Sequence, residues 1–335
     1  MANIISKFQK PIRSVCSSLP AKYVRLIERI IEFLIKWKYY SFSYKKETNT
    51  DLICIVSGWF NNGGLTDRIN GIIAAYQAAD ASGRKFKLLF DKPFNLSDYL
   101  IPNKVDWSIT ADKISFGWNV KPVFIRAFNR SMPDRLKQLI NTASHYKNKQ
   151  LHVFTNIACN DVEIYHHCYH NLFKPSERLE ELILKELERI KENFISVTFR
   201  FQQLLGDFKE GNYPILSHSE SELLINKCIE NLENIHLKNP NKLIVVTSDS
   251  MTFLNKIHHL HYIRILSGKV VHMQYTKDNS FSVHAKAFID LYVIANAEKI
   301  YLVINSPMHD SGFPKLASKI YKKPFIKVIN GKFLI

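Results

Sequence analysis

From residue 51 onward, short apolar runs alternate with stretches of helical periodicity, and this alternation limits the fold more than any other feature. The run "LICIVS" opens the series, a helix is predicted from Thr66 to Ala81, and "KFKLLF" follows as the next strand. A strand, a helix and a second strand in close succession form a βαβ unit, whose crossover requires parallel strands. The pattern therefore predicts the α/β class.

The alternation occurs twice. A long charged helix, "KPSERLEELILKELERIKENF", separates the first series from a second one. The second series has strands at "FISVTFR", "KLIVVTS", "KVVHM", "KIYLVI" and "PFIKVI", and the pair Ser219-x-x-Glu222 is predicted to cap its first helix. Two series indicate two Rossmann-like halves. The expected segments are a basic segment 1–48, an N-terminal half 49–175, a bridging helix 176–193 and a C-terminal half 194–335.

The charge of the chain is strongly positive and unevenly placed. Its 46 Lys and Arg residues exceed 30 Asp and Glu residues, which gives a net charge of +16. Residues 1–46 hold ten of the basic residues and only two acids, Glu28 and Glu32, so half of the net charge lies there. An anionic partner such as a phosphate, a nucleic acid or an acidic lipid is expected.

The segment "YVRLIERIIEFLIKWKYY" predicts an amphipathic helix with a wide apolar face. Basic residues and aromatic rings flank that face, as in helices that lie on anionic membranes. Residues 22–46 are therefore expected to contact an anionic membrane surface. The alternative is a helix that docks on its own core or on a partner subunit.

The cysteine and histidine residues suggest neither disulfides nor a metal site. Five cysteines are scattered without a C-x-x-C pair, which fits a reducing compartment. The cluster "YHHCYH" has histidine spacing that matches no standard zinc site. No stretch reaches the roughly 20 apolar residues of a membrane span.

In open α/β sheets, ligands bind beyond the carboxyl ends of the strands, so the loops that follow the apolar runs hold the candidate site. The first loop contains Gly63 and Gly64, which form either an ordinary turn or a close approach to a ligand at a helix N-terminus. Arg200 ends a strand, where it either binds a diphosphate or pairs with Asp207 or Glu210.

These motifs, in this order, resemble the GT-B fucosyltransferase superfamily, which includes α1,2-, α1,6- and protein O-fucosyltransferases. The segment "GGLTDRINGIIAAYQAADASGRKFKLLF" is similar to its first motif, "ISVTFRFQQLLGDF" to its second, and "IVVTSDS" and "KAFIDLYVIANAEKIYLVINSPMHDSGFPKLA" to its later ones. The resemblance covers residues 51 to about 325. It implies a GT-B fold, in which two Rossmann-like domains face each other across a cleft, here with the added basic helix.

The resemblance also implies roles for individual residues. Arg200 would contact the β-phosphate, and the catalytic base would be Asp67, Asp207 or Glu210. The residues implied at the nucleotide sugar are Gly63, Gly64, Ser248, Asp249, Asp290, Ser311, Gly312 and Phe313. Mechanistically, the superfamily inverts the anomeric centre, with cationic donors on the leaving diphosphate and a carboxylate on the acceptor hydroxyl. No metal and no cofactor are expected.

The resulting prediction is a bacterial polysaccharide-type glycosyltransferase that moves fucose from GDP-fucose to an oligosaccharide or lipid-linked glycan. A cytoplasmic location, peripheral on the inner face of the membrane, is expected. Two rival functions are a sulfotransferase that uses a phosphorylated adenine nucleotide and a basic nucleic-acid-binding protein. The clustering of charge in one N-terminal segment argues against nucleic acid as the partner.

Overall fold

The structure is a computed structural model that describes residues 18–42, 49–58, 63–128, 131–191, 193–207, 214–268, 278 and 280–334. The chain divides into two compact units, Met1–Lys174 and Pro175–Ile335. Each unit contains a largely parallel sheet with helices, which confirms the predicted α/β class.

Among the described residues, the sheet of the first unit has four parallel strands, in the order β2 (Phe86–Phe90), β1 (Leu52–Val56), β5 (Leu151–Thr155) and β4 (Lys121–Ile125). Its strands are buried along most of their length, because helices cover a parallel sheet on its faces. The elements in chain order are α1 (Ala21–Tyr39), β1 (Leu52–Val56), α2 (Leu65–Ala81), β2 (Phe86–Phe90), β3 (Leu100–Pro102), β4 (Lys121–Ile125), α3 (Met132–His145), β5 (Leu151–Thr155), α4 (Val162–Leu172) and β6 (Phe173–Pro175), which pairs with β3.

The basic helix α1 packs on this sheet. Ile35 and Tyr40 join the hydrophobic cluster that contains Ile53 of β1 and Phe124 of β4. The hydroxyl of Tyr40 also lies 2.5 Å from Nδ1 of the buried His152 on β5. Burial lowers the pKa of His152 to about 3, so this ring is neutral and accepts or donates hydrogen bonds without charge.

Among the described residues, the sheet of the second unit has six strands, in the order β12 (Lys332–Leu334), β11 (Phe325–Ile329), β10 (Ile300–Ile304), β7 (Phe194–Phe199), β8 (Leu243–Ser248) and β9 (Ile263–Ile265). Of these described strands, only β12 runs antiparallel to its neighbour. The strand order reverses between β7 and β10, which is where such folds bind ligands. The elements in chain order are α5 (Glu177–Ile190), β7 (Phe194–Phe199), α6 (His218–Lys238), β8 (Leu243–Ser248), α7 (Met251–Ile257), β9 (Ile263–Ile265), α8 (Phe281–Asn296), β10 (Ile300–Ile304), α9 (Gly312–Ile320), β11 (Phe325–Ile329) and β12 (Lys332–Leu334).

One local prediction, the cap of α6, is wrong, and another, the strand "KVVHM", lies outside the described residues. The capping box of α6 is formed by Ser217 and Glu220, not by Ser219 and Glu222. The same Ser-x-x-Glu spacing occurs two residues earlier, and there each side chain accepts a hydrogen bond from the other residue's backbone N–H. The run "KVVHM" falls in 269–277, outside the described residues, and among the strands that are described β9 lies at one edge of the sheet.

Candidate functional site

Arg200 follows the last residue of β7, at the point where the strand order reverses. Its Nη1 lies 2.9 Å from Oδ2 of Asp249, which follows β8. The expected alternative partners were Asp207 and Glu210. The structure pairs Arg200 with Asp249, because β7 and β8 are adjacent and in register, while Glu210 lies outside the described residues. The Arg200 side chain keeps 19% of its surface exposed.

The carboxylate of Asp249 organises the turn after β7. Its two oxygens accept hydrogen bonds from the backbone N–H groups of Phe201 and Gln202, at 2.8 and 2.7 Å. Gln202 has a left-handed backbone (φ 56°), so this turn depends on being held from outside. Burial raises the pKa of Asp249, and the charge of Arg200 opposes that rise. With 1% of its side chain exposed, Asp249 positions Arg200.

A small recess of about 80 Å³ lies beside Asp249, beyond the carboxyl ends of β8 and β9. Its lining combines apolar side chains, which suit a flat ring, with polar groups from Ser248 and Asp249. Lys286 of α8 lines the same recess, and its ammonium forms an ion pair with the buried carboxylate of Asp290. The predicted residue Asp290 thus holds the ammonium of Lys286 at the recess. Lys286 itself is not among the predicted site residues.

The predicted candidates Asp207 and Ser248 have defined partners. The carboxylate of Asp207 accepts hydrogen bonds from the Ser250 hydroxyl and from Oγ1 of Thr252, the latter at 2.7 Å. It thereby holds the start of α7, and it also lines the recess. The Oγ atom of Ser248 accepts a hydrogen bond from the backbone N–H of Ser250 at 3.1 Å. Both side chains fix the loop that carries Asp249.

The last predicted loop begins α9. Ser311 is the N-cap, and its Oγ accepts a hydrogen bond from the N–H of Phe313 at 3.3 Å, with Gly312 as the first helical residue. Two residues before the cap, the N–H of His309 donates to the carbonyl of Arg200 at 3.2 Å. This bond links the loop after β10 to the loop after β7 across the point of strand-order reversal.

In the first unit, the glycine turn is built around two side chains of α2. Gly63 has φ +77°, and a Cβ atom there would overlap the carboxylate of Asp67. Gly64 is the N-cap of α2, and a Cβ atom there would meet open space. The buried Arg68 donates to the carbonyls of Gly63 and Lys92, at 3.1 and 3.0 Å. The end of the turn that is described is therefore held at Gly63 by Arg68 and is open at Gly64.

One predicted site residue, Glu210, is not placed, and the histidine cluster forms part of a helix. Glu210 lies outside the described residues, so the structure does not place it. Within the ranges that the structure describes, no group of His, Cys, Asp and Glu side chains is arranged to hold a metal ion. The histidines of "YHHCYH" lie on α4, where Nε2 of His167 is 2.8 Å from Nδ2 of Asn171.

Lys286 is the functional candidate that sequence reasoning missed, although a signal was present. Lys286 and Asp290 stand four residues apart in the otherwise apolar helix α8. Charges at that spacing contact each other on one helix face, and a buried face tolerates them only as a pair. An isolated ion pair in an apolar helix is therefore a usable sign of a site.

No protein-family model matches this sequence, and no curated protein matches it. Solved structures do match. The α-1,6-fucosyltransferase NodZ co-crystallised with GDP matches with a TM-score of 0.57 and 15% identity, over 86% of this chain and 98% of NodZ. A mutant of Arabidopsis thaliana FUT1 in complex with GDP gives 0.56 and 12%, over 90% of this chain and 74% of FUT1. The chain therefore has a GT-B fucosyltransferase-like fold.

Proposed function

We propose that this protein is a glycosyltransferase that moves fucose from GDP-fucose to a hydroxyl group of a glycan. The observation that carries the proposal is the corner formed by Arg200 and Asp249 beside the recess. An arginine at the carboxyl edge, held by a buried carboxylate and partly exposed, suits a diphosphate better than a lysine would, since it offers two parallel donors. The GDP-bound fucosyltransferases NodZ and FUT1, which share the fold, support this choice of ligand.

In the proposed reaction, the bond between C1 of fucose and the β-phosphate oxygen breaks, and a bond from the acceptor oxygen to C1 forms on the opposite face. The anomeric configuration is thereby inverted. Arg200 stabilises the negative charge that develops on the leaving diphosphate, and GDP departs as the anion. The ammonium of Lys286 supplies a second positive charge at the recess, with Asp290 fixing its position.

A carboxylate takes the proton of the acceptor hydroxyl. Asp207 already accepts hydrogen bonds from Ser250 and Thr252, which supports a positioning role for it. Asp67 and Glu210 stay as the candidates for the base. Replacing each by its amide tests them: the base variant should lose turnover by a factor of about 100 or more with little change in GDP affinity.

The nucleotide is tested by thermal shift with GDP, UDP, CDP, dTDP, GDP-fucose, 3′-phosphoadenosine 5′-phosphate and a nucleic-acid oligomer. GDP and GDP-fucose should raise the melting temperature, because ligand binding to the folded state stabilises it. A shift only with the adenine nucleotide would make the protein a sulfotransferase candidate. A shift only with the oligomer would favour a nucleic-acid-binding role.

We further propose that the acceptor is a lipid-linked glycan and that the protein works at an anionic membrane surface through residues 22–46, as a peripheral protein on its inner face. The concentration of positive charge in this part of the chain supports this location. Residues 43–46 of the segment lie outside the described residues. A role in polysaccharide biosynthesis of a bacterial type follows from such an acceptor and is part of the same proposal.

A further inference from the structure

The helix α1 is docked with its acids inward and its large apolar side chains outward. Its hydrophobic residues Tyr23, Leu26, Ile30, Phe33, Leu34 and Trp37 are exposed, with Phe33 at 55% and Trp37 at 59%. We call these six residues the outward face. They fall on one side of the helix, opposite the buried Val24, Glu28 and Ile35. The inward face makes an ordinary apolar contact through Val24 and Ile35, but a helix on a globular core usually exposes polar residues where this one exposes six apolar residues.

Two ion pairs hold the helix in this orientation. The buried carboxylate of Glu28 pairs with Arg135 of α3, and the carboxylate of Glu32 lies 2.5 Å from Nζ of Lys121 on β4. The same carboxylates accept hydrogen bonds from the backbone N–H groups of Arg126 and Phe124, at 3.3 and 3.0 Å. Both acids of the helix are therefore bound to the rest of the first unit, and these directional bonds fix its orientation.

The outward face continues into a cluster of aromatic rings. The ring of Trp37 lies 6.2 Å from that of Phe33 and 5.2 Å from that of Phe42. Phe42 in turn stacks on Trp118, with 4.8 Å between ring centroids. Aromatic rings of this kind concentrate at the boundary between lipid headgroups and acyl chains.

The charged residues of α1 that are left facing solvent are basic. Helix α1 carries five basic residues, Lys22, Arg25, Arg29, Lys36 and Lys38, and both of its acids are neutralised by partners on the sheet side. A second copy of this chain would bring another basic rim against the first, which like charges oppose. A lipid bilayer with anionic headgroups has an apolar interior and a negatively charged boundary. It therefore matches both the apolar outward face and the basic residues of α1.

We infer that the outward face of α1 lies on an anionic lipid bilayer, with its apolar side chains in the headgroup and acyl boundary and its basic residues at the lipid phosphates. This inference specifies the membrane contact proposed above and rests on that proposal. The helix binds in its docked orientation, since the ion pairs on its opposite side stay in place. In the part of the chain that is described, no helix is long and apolar enough to cross a bilayer.

The test is flotation of the full chain with two kinds of vesicles, phosphatidylcholine alone and phosphatidylcholine mixed with phosphatidylglycerol. The wild type should bind the anionic vesicles. The double variant Ile30→Glu, Phe33→Glu should bind them at least about tenfold more weakly, because two apolar side chains that would enter the bilayer are replaced by charged ones. The variant Arg25→Gln, Arg29→Gln should lose roughly fivefold per basic residue.

The matched control is Leu223→Glu, Leu237→Glu on α6, where both leucines are exposed and the change in charge is the same. This variant should bind like the wild type. Circular dichroism and GDP affinity of every variant report whether the fold and the nucleotide site are intact, so a failed GDP-fucose assignment is distinguishable from a failed membrane assignment.

A direct measure of depth is quenching of tryptophan fluorescence by brominated lipid, which should be strong in the wild type and much weaker in Trp37→Phe. The inference is overturned if the wild type does not bind anionic vesicles, or if the α1 and α6 variants bind equally. It is also overturned if the wild type is a dimer without lipid and the Ile30→Glu, Phe33→Glu variant is a monomer, since a second copy would then cover the face.

Discussion

Arg68 lies beside the glycine turn of the first unit and Arg200 lies at a strand end of the second, and the two arginines have different partners. Arg68 is 6% exposed and donates to two backbone carbonyls of neighbouring loops. Arg200 is paired with a buried carboxylate, and 19% of its side chain remains exposed. An arginine directed at carbonyls stabilises its own loop, whereas one held from behind by a carboxylate is pre-oriented toward an anion.

The largest expected difference is between Arg68→Met and Arg200→Met. Arg68→Met removes two charged hydrogen bonds from a buried position and should lower the free energy of unfolding by ~2–4 kcal/mol, with GDP affinity retained. Arg200→Met should lower it by less and should weaken GDP binding. Chemical denaturation and calorimetry on both variants measure this. If Arg68→Met weakens GDP binding in protein that is still folded, the two arginines do not differ as described.

A smaller difference is expected between two glycines of the first unit. A Cβ atom at Gly71 would overlap the carbonyl of Thr155, so α2 could not pack as closely on β5. Gly71→Ala should destabilise by ~1–3 kcal/mol despite the better helix propensity of alanine. Gly64→Ala adds the same methyl group in open space and should change stability by less than about 1 kcal/mol. Its effect on turnover then reports directly whether a ligand approaches Gly64.

If Gly64→Ala is neutral for both stability and turnover, the glycine turn has only a structural role. If Gly71→Ala is neutral in denaturation, the close packing of α2 on β5 is not required. The first result would support the contrast between a structural first loop and a ligand-binding second corner, whereas the second would weaken the structural half of it.

The smallest expected effect is on pH dependence. Burial raises the pKa of Asp249, so the folded chain holds this proton more tightly than the unfolded chain. Its stability contribution is therefore complete below the ordinary carboxyl pKa and is lost as the pH rises through the raised value. Relative to Asp249→Asn, the wild type should gain stability as the pH falls through that window. A difference that stays flat, or that changes in the opposite direction, would contradict the raised pKa.

The sequence predicted the two series of strands and helices because buried parallel strands are continuous apolar runs. It also directed attention to Arg200, Ser248, Asp249 and Ser311, since strand ends are visible from the sequence alone. The partner of Arg200 was not predictable, because it depends on which strands are neighbours. In the sequence, Asp207 and Glu210 are much closer to Arg200 than Asp249 is, but β7 pairs with β8.

The orientation of α1 was equally beyond the sequence pattern. The periodicity shows an apolar and a polar side but does not show which side faces the protein. The sequence does not show that Glu28 and Glu32 face the protein. They do so because Arg135 and Lys121 lie where they can form ion pairs with them. Burial raises the pKa of Glu28, which reflects how far its carboxylate is removed from solvent.

Calorimetric titration of GDP into the wild type and Arg200→Ala tests the central claim most directly, namely that the corner formed by Arg200 and Asp249 binds the nucleotide diphosphate. The wild type should bind GDP, and Arg200→Ala should bind it about tenfold or more weakly while its thermal unfolding stays cooperative. Arg200→Lys should lie between the two, because lysine keeps the charge and loses the second donor. Equal GDP affinity of folded wild type and Arg200→Ala would contradict the account.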